Sequence, residues 1–180
     1  MTVADPSPGA PLSAADRLDI ADAVGSIMLL VDMKDWAAIL GHLLPDVTTD
    51  YTSVFGGEPV SCSREDLVRG WSSRLPGFDA TQHTVTQVCV RGSGSQATTV
   101  SNLRAAHWIE GRIWAFGGTY HHTLTRTDHG WRIGSLRIAM YYEEGDRAVR
   151  AQAIERMAAK LGSTVDDLTL IGRGAQQVGT

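Results

Sequence analysis

The chain has 180 residues, 43% of them hydrophobic, and a formal net charge of −4, which is enough for one domain with a real core and too little for two comfortable ones. With Lys34 and Lys160 as the only lysines among scattered arginines, no basic stripe forms, which argues against a nucleic-acid partner. Cys62 and Cys89 are far apart and in no CxxC or metal-ligand spacing, which argues against a disulfide scaffold and fits a reducing cytoplasm.

Residues 1–12 are rich in Pro, Ala and Ser and lack the basic start and apolar run of a signal peptide. They read as a disordered tail, and no run approaches the length of a membrane span. Ser13 with Asp16 is an N-terminal capping signature, and Ile20, Val24, Ile27, Met28 and Val31 then recur as one buried helical stripe. Asp32, four residues past Met28 and eight past Val24, extends that stripe inward. At a helix C-terminus and away from water its carboxyl pKa would rise. The alternative is a helix ending one residue early, with Asp32 starting the turn before Lys34, Asp35 and Trp36.

Trp36 to Leu44 reads as a second helix stopped by Pro45, Val47 to Tyr51 as a brief strand, and Gly56, Gly57 and Pro59 as a loop. Tyr51 is either a core phenol or a proton donor to a ligand oxygen. Ser63 with Glu65 and Asp66 caps a third helix whose apolar side is Leu67, Val68, Trp71 and Leu75, ended by Pro76 and Gly77. Four strand-like runs follow, Thr81 to Arg91, Gln96 to Ile109, Arg112 to Thr127 and Trp131 to Tyr142, separated by Gly-Ser-Gly, Glu-Gly and Asp-His-Gly turns. These are hairpins of an antiparallel sheet. Helices first and a meander afterwards is an α+β plan with a pocket between helices and a curved sheet. Ile154, Met157 and Leu161 mark a last amphipathic helix ending at Gly162, and Ser163 to Thr180 is ambiguous. The organisation is therefore a tail over 1–12, an α+β domain over 13–145, and a C-terminal helix and tail over 146–180.

Strand alternation supplies the candidate chemistry. His83 shares a face with Val85 and Cys89, and His107 shares one with Ala97, Thr99, Ser101, Leu103 and Ala105, opposite Asn102, Arg104 and Trp108. Two inward histidines on successive strands, with an inward acid to fix a tautomer, point to an acid–base site. In the next strand Trp114, Phe116, Gly118, Tyr120, His122 and Leu124 alternate on one side, as plain core or as the aromatic lining of a cavity for a flat apolar ligand. His121 and His122 are adjacent and diverge, which makes them poor joint metal ligands.

Several stretches together carry a resemblance: Asp32-Met33-Lys34-Asp35-Trp36, Pro45, Asp50-Tyr51-Thr52-Ser53, Thr81-Gln82-His83, His107, and the Arg137 to Glu144 segment with its Tyr-Glu-Glu. In their order and spacing, from about Ala14 to Asp146, they resemble the SnoaL-like branch of the nuclear transport factor 2-like superfamily, near scytalone dehydratase and bile-acid 7α-dehydratase. The resemblance implies a cone-shaped, cystatin-like α+β barrel with a curved antiparallel sheet covered by N-terminal helices, a deep apolar pocket, no cofactor, and a homodimer or homotrimer assembled through the sheet. It matches the catalytic acid to Asp32, its histidine to His83, a second histidine to His107, and a carbonyl-polarising tyrosine to Tyr51. Val31 stands where scytalone dehydratase has another tyrosine, and its substrate-gripping serine and asparagine fall on Gly118 and Tyr120, which implies a different substrate.

The resulting expectation is a cofactor-free dehydratase acting on an oxygenated apolar, polyketide- or steroid-like molecule, with Asp32, His83, His107 and Tyr51 catalytic and no metal. Val31, Ser53, Trp114, Phe116, Tyr120 and His122 are the candidate substrate-binding residues. A polyketide cyclase, an isomerase, and a non-catalytic carrier or accessory subunit using the same cone are the alternatives.

Overall fold

The structure is a computed structural model and describes residues 9–170. Helix α1 spans Ala14–Met33 and is opened by a complete capping box, in which Ser13 and Asp16 each cover the other's backbone amide. Ile20, Val24, Ile27, Met28 and Val31 are all buried along one side, and that stripe packs α1 against the sheet, since an isolated helix of this kind is held mainly by its apolar face. Lys34 closes it in the left-handed conformation (φ 59°), with its amide donating to the carbonyls of Leu30 and Val31. Asp32 is therefore inside the last turn and not in the turn beyond it.

Helix α2 covers only Trp36–Leu40, shorter than the expected helix to Leu44. Strand β1 (Leu43–Asp50) begins before Pro45. Pro45 is tolerated because β1's register against its neighbour slips between Leu43 and Thr48, so its missing N–H costs no ladder bond there. A single turn of helix, α3 (Thr52–Phe55), the short strand β2 (Val60–Ser63), helix α4 (Arg64–Ser72, capped by Ser63) and a 3₁₀ turn at Leu75–Gly77 follow.

Strands β3 (Ala80–Ser93), β4 (Gln96–Ile109), β5 (Arg112–Thr127) and β6 (Gly130–Gly145) form the expected antiparallel meander. The six-stranded sheet has the order β2-β1-β6-β5-β4-β3. One pairing departs from the hairpin rule: β1 lies parallel to β6, a long-range contact that no turn signal announces. Two irregularities shape the curl. Gln87 takes φ 56° in a bulge between Thr86 and Cys89, which shifts the inward phase to Val88 and Val90 and leaves Cys89 exposed, not on the face of His83. At Gly118 the ladder to β6 slips, and a Cβ there would lie 2.0 Å from the Ala139 carbonyl oxygen, so no side chain fits. The backbone of β6 therefore requires glycine at position 118.

Helix α5 (Ala148–Leu161) is closed by Gly162 in the left-handed conformation. Val149 and Ala153 join the main core, while Ile154, Met157 and Ala158 form a small cluster. Leu161, expected on the apolar face, is exposed. Leu12 is buried against the core. Helix α6 (Val165–Leu170) is the last element, and the expectations for 1–8 and 171–180 lie outside the described residues. Among the described residues no helix is long and apolar enough to cross a membrane.

Candidate active site

The curled sheet and the helices enclose a cavity of about 870 Å³, within the size range of small-molecule sites. Most of its wall is apolar or aromatic: Val31 from α1, Trp71 from α4, Phe78, Leu103 from β4, Trp114 and Phe116 from β5. The polar groups in the wall are few, chiefly His83, His107, Tyr51, Tyr120, Arg74, Arg150 and Glu58.

His83 faces the cavity from β3, and Asp32 stands directly behind it. The carboxylate collects three hydrogen bonds: Oδ1 receives the Thr81 hydroxyl at 2.8 Å and the His83 ring Nδ1 at 2.7 Å, and Oδ2 receives the His83 backbone amide at 2.7 Å. The Asp32 and His83 side chains are only 17% and 12% exposed. Burial alone pushes the Asp32 carboxyl up, as the helix-end argument requires. The bond and charge of the His83 ring, its amide and the Thr81 hydroxyl outweigh burial, so the pKa is held below the ordinary value, opposite to the expectation from the helix alone. An ionised carboxylate only accepts, so His83 carries a hydrogen on Nδ1, and Nε2 is the ring nitrogen left to face the cavity.

His107 is 4% exposed and boxed by aromatics, stacked on Trp114 with centroids 4.8 Å apart and 4.7 Å from Phe78. Its ring stands edge-on to His83 at 5.4 Å. Burial, then the His83 charge, lower its pKa to about 3, against smaller opposing effects of the Trp114 carbonyl and Asp32. Its Nδ1 lies 3.3 Å from the Trp114 carbonyl oxygen, which can only accept, so the hydrogen is on Nδ1 here also. The neutral ring thus presents an acceptor at Nε2. The Trp114 indole N–H donates to Glu143 at 2.5 Å, and Arg147 holds Glu143 in turn, which gives the Tyr-Glu-Glu segment a part in fixing the wall.

Tyr51 caps the end of β1, and its hydroxyl lies 3.2 Å from that of Tyr120 on β5. Burial raises the pKa of both phenols, so both are neutral.

Two expected substrate-binding residues are elsewhere. The Ser53 hydroxyl donates to the Ile138 carbonyl at 2.6 Å and accepts from the Met140 amide at 3.1 Å, which pins α3 to β6 and turns the Ser53 side chain away from the cavity wall. His122 is buried behind Tyr120, with ring centroids 4.2 Å apart and Nδ1 3.1 Å from the Thr99 hydroxyl. It lines no part of the cavity, while His121 points away and meets the Thr119 hydroxyl. Arg74, Arg150 and Glu58 are charged cavity residues that the sequence analysis does not single out, and Arg74 is the one with a local pattern behind it. A signal existed: Arg74 is seven residues past Leu67 and three past Trp71, so it extends the apolar stripe of α4 as Asp32 extends that of α1.

A curled six-stranded sheet with N-terminal helices packed over it, enclosing a cavity, is the architecture of the nuclear transport factor 2-like superfamily. The profile of the SnoaL-like domain matches residues 13–137, and the chain belongs to that family. Solved structures agree. A Kribbella flavida protein superposes with TM-score 0.70 at 26% identity, over 77% of this chain and 97% of that one. A Novosphingobium aromaticivorans protein described as a candidate aromatic ring hydroxylase gives TM-score 0.68 at 20% identity, over 77% and 99%. A candidate scytalone dehydratase of the same organism gives 0.61 at 16%, over 74% and 89%. No curated protein matches the chain. The names borne by these neighbours differ while their fold is shared, so the reaction has to be argued from side chains.

Proposed function

We propose that the protein is a cofactor-independent acid–base enzyme that eliminates water beside a carbonyl of an oxygenated, largely apolar ring compound. His83 Nε2 removes a carbon-bound proton, and the imidazolium so formed is stabilised across its Nδ1–H by the Asp32 carboxylate. The electron pair left on carbon forms the double bond as the neighbouring C–O bond breaks. The departing hydroxyl takes the proton back from His83 and leaves as water, restoring the resting state. His107 receives a hydrogen bond from the substrate hydroxyl and so orients it, while Tyr51 donates to the carbonyl oxygen. Val31, Trp114, Phe116 and Tyr120 shape the apolar wall around the ring. A dimer or trimer through the sheet belongs to the same proposal.

The observation that carries this reading is the 2.7 Å Asp32–His83 bond with the opposite ring nitrogen facing an apolar cavity, because a simple carrier gains nothing from such a pair. Positioned proton transfer of this kind contributes about 10²–10⁴-fold. The test is 3-hydroxy-1-tetralone, whose loss of water gives fluorescent 1-naphthol. Turnover that disappears in His83→Ala, with unchanged thermal melting, supports the assignment, and wild-type turnover in that variant removes it.

A further inference from the structure

A carboxylate on the inner face of the sheet takes no part in the proton transfer described above. Glu143 lies directly across the β5–β6 ladder from Phe116, so the two side chains share one face. Glu144, the next residue, alternates to the other face and pairs with Arg104.

The Glu143 carboxylate is fixed from two sides. Arg147 Nη1 donates to both of its oxygens at 2.9 Å, while Arg147 Nη2 reaches the Val54 carbonyl and so ties the group to α3. From the sheet it receives the Trp114 indole N–H. That acceptor matters, because Trp114 is 1% exposed and a buried N–H without a partner is costly. Turning the indole over would carry its N–H away from Glu143, so the bond selects one orientation of the ring.

Trp114 is in turn the register partner of His107 on β4. It gives His107 a stacking plane, with centroids 4.8 Å apart and rings inclined by 26°, and from its own backbone the carbonyl that faces Nδ1. The polar contact is 3.3 Å, at the long end for such a bond. That bond alone orients the imidazole weakly, and the indole plane completes the constraint.

We propose that Glu143, braced by Arg147, is a positioning residue that acts through the Trp114 indole to set the plane of His107 and hence the direction of its Nε2. The inference rests on the acid–base reading of the same cavity, in which that nitrogen orients the substrate hydroxyl. A misplacement of about 1 Å in an orienting group costs on the order of 10²-fold in rate.

The test has two readouts, imidazole proton–nitrogen NMR spectra and steady-state dehydration of 3-hydroxy-1-tetralone. In Glu143→Leu the His107 ring signals, assigned by their loss in His107→Gln, should move while those of His122 stay in place. There kcat should fall by at least about tenfold, with a smaller change in KM. Glu143→Gln, which keeps an acceptor oxygen for the indole, should recover most of both, and Glu144→Leu should change neither. Unmoved His107 signals or an unchanged kcat in Glu143→Leu overturns the proposal, whatever happens to thermal melting, because a brace that only stabilises the fold would alter melting alone. A Glu143→Gln variant as impaired as Glu143→Leu overturns it too. If Glu143→Leu does not fold, Arg147→Met must move the same signals, and a wild-type spectrum in that variant ends the case. The spectra involve no turnover, so moved His107 signals beside wild-type turnover in His83→Ala remove the acid–base reading alone. Unmoved signals beside lost turnover in His83→Ala remove the positioning role alone.

Discussion

His83 and His122 are both inward-facing histidines of the same sheet, and they differ in what surrounds them. His83 has a carboxylate bonded to one ring nitrogen and open cavity at the other. His122 has only the Thr99 hydroxyl on one nitrogen, and its Nε2 is buried with no hydrogen-bond partner among the described residues. The two rings are therefore not equivalent chemically, although alternation places both inward. An inward histidine becomes a candidate base when a fixed acceptor sets its tautomer and a void lies before its lone pair. Burial without both conditions gives a neutral ring that costs stability, since an unpaired buried polar atom forfeits its hydration.

The sharpest way to break this contrast is to remove each ring in turn. His83→Ala should lower turnover of the tetralone by about 10²–10⁴-fold, whereas His122→Leu should lower it by less than about tenfold. Steady-state rates on the two purified variants decide it. Equal losses would mean that the site is not organised around the Asp32–His83 bond.

The next effect is on stability. His107 and His122 both have pKa values of about 3, chiefly through burial, against 6.5 when unfolded. Between those values the unfolded chain binds a proton that the folded one refuses, so stability falls as pH falls from 6.5 toward 3. Each ring contributes about 1.4 kcal/mol per pH unit over that window. Denaturant unfolding at pH 7, 5.5 and 4 should show this slope, and His122→Leu should flatten it by one ring's share. An unchanged slope in that variant would mean that His122 is protonated in the folded protein.

Much of this arrangement is legible in the sequence, and the exceptions are physical. The meander and α1 can be read to within a few residues because alternation, the capping box and glycine turns are local signals. The parallel β1–β6 pairing and the strand containing Pro45 are not, because they depend on partners some ninety residues away in the sequence. Asp32 is correctly inward, but its pKa direction is missed, since the donors that lower it come from Thr81 and His83 on a distant strand. His122 is misplaced because alternation separates inside from outside and does not separate cavity from solid core, and Ser53 because its hydroxyl is taken by backbone groups of Ile138 and Met140 on a distant strand. Cys89 is misplaced because one bulge reverses the phase.

A smaller effect concerns the acid behind His83. Asp32→Asn keeps the shape but offers one acceptor oxygen where the carboxylate has two, and it sets an N–H₂ against groups that also donate. Leaving one such donor unpaired costs about 1–3 kcal/mol. The carboxyl pKa is lowered in the folded state from 3.8, so the extra stability of the wild type is fully present above that value and is lost as pH falls through the lower folded value. Paired unfolding curves should therefore converge below about pH 4, and curves that stay parallel there would show that the carboxylate is not what holds His83.

The smallest expected change is His122→Leu at neutral pH. The substitution removes an orphaned nitrogen and at the same time strips Thr99 of its partner, two opposed terms each worth on the order of 1 kcal/mol. The net shift in unfolding free energy at pH 7 should therefore lie within about 1 kcal/mol of zero, while at pH 4 the same variant should be the more stable protein because it has no ring to protonate on unfolding. The sign change across that pH range is the measurement that matters. A cavity-forming loss of packing would destabilise at every pH, and only a histidine held neutral by burial gives a penalty that grows with acid. Finding the crossover would place His122 with the core and leave His83 and His107 as the cone's cavity-facing histidines among the described residues.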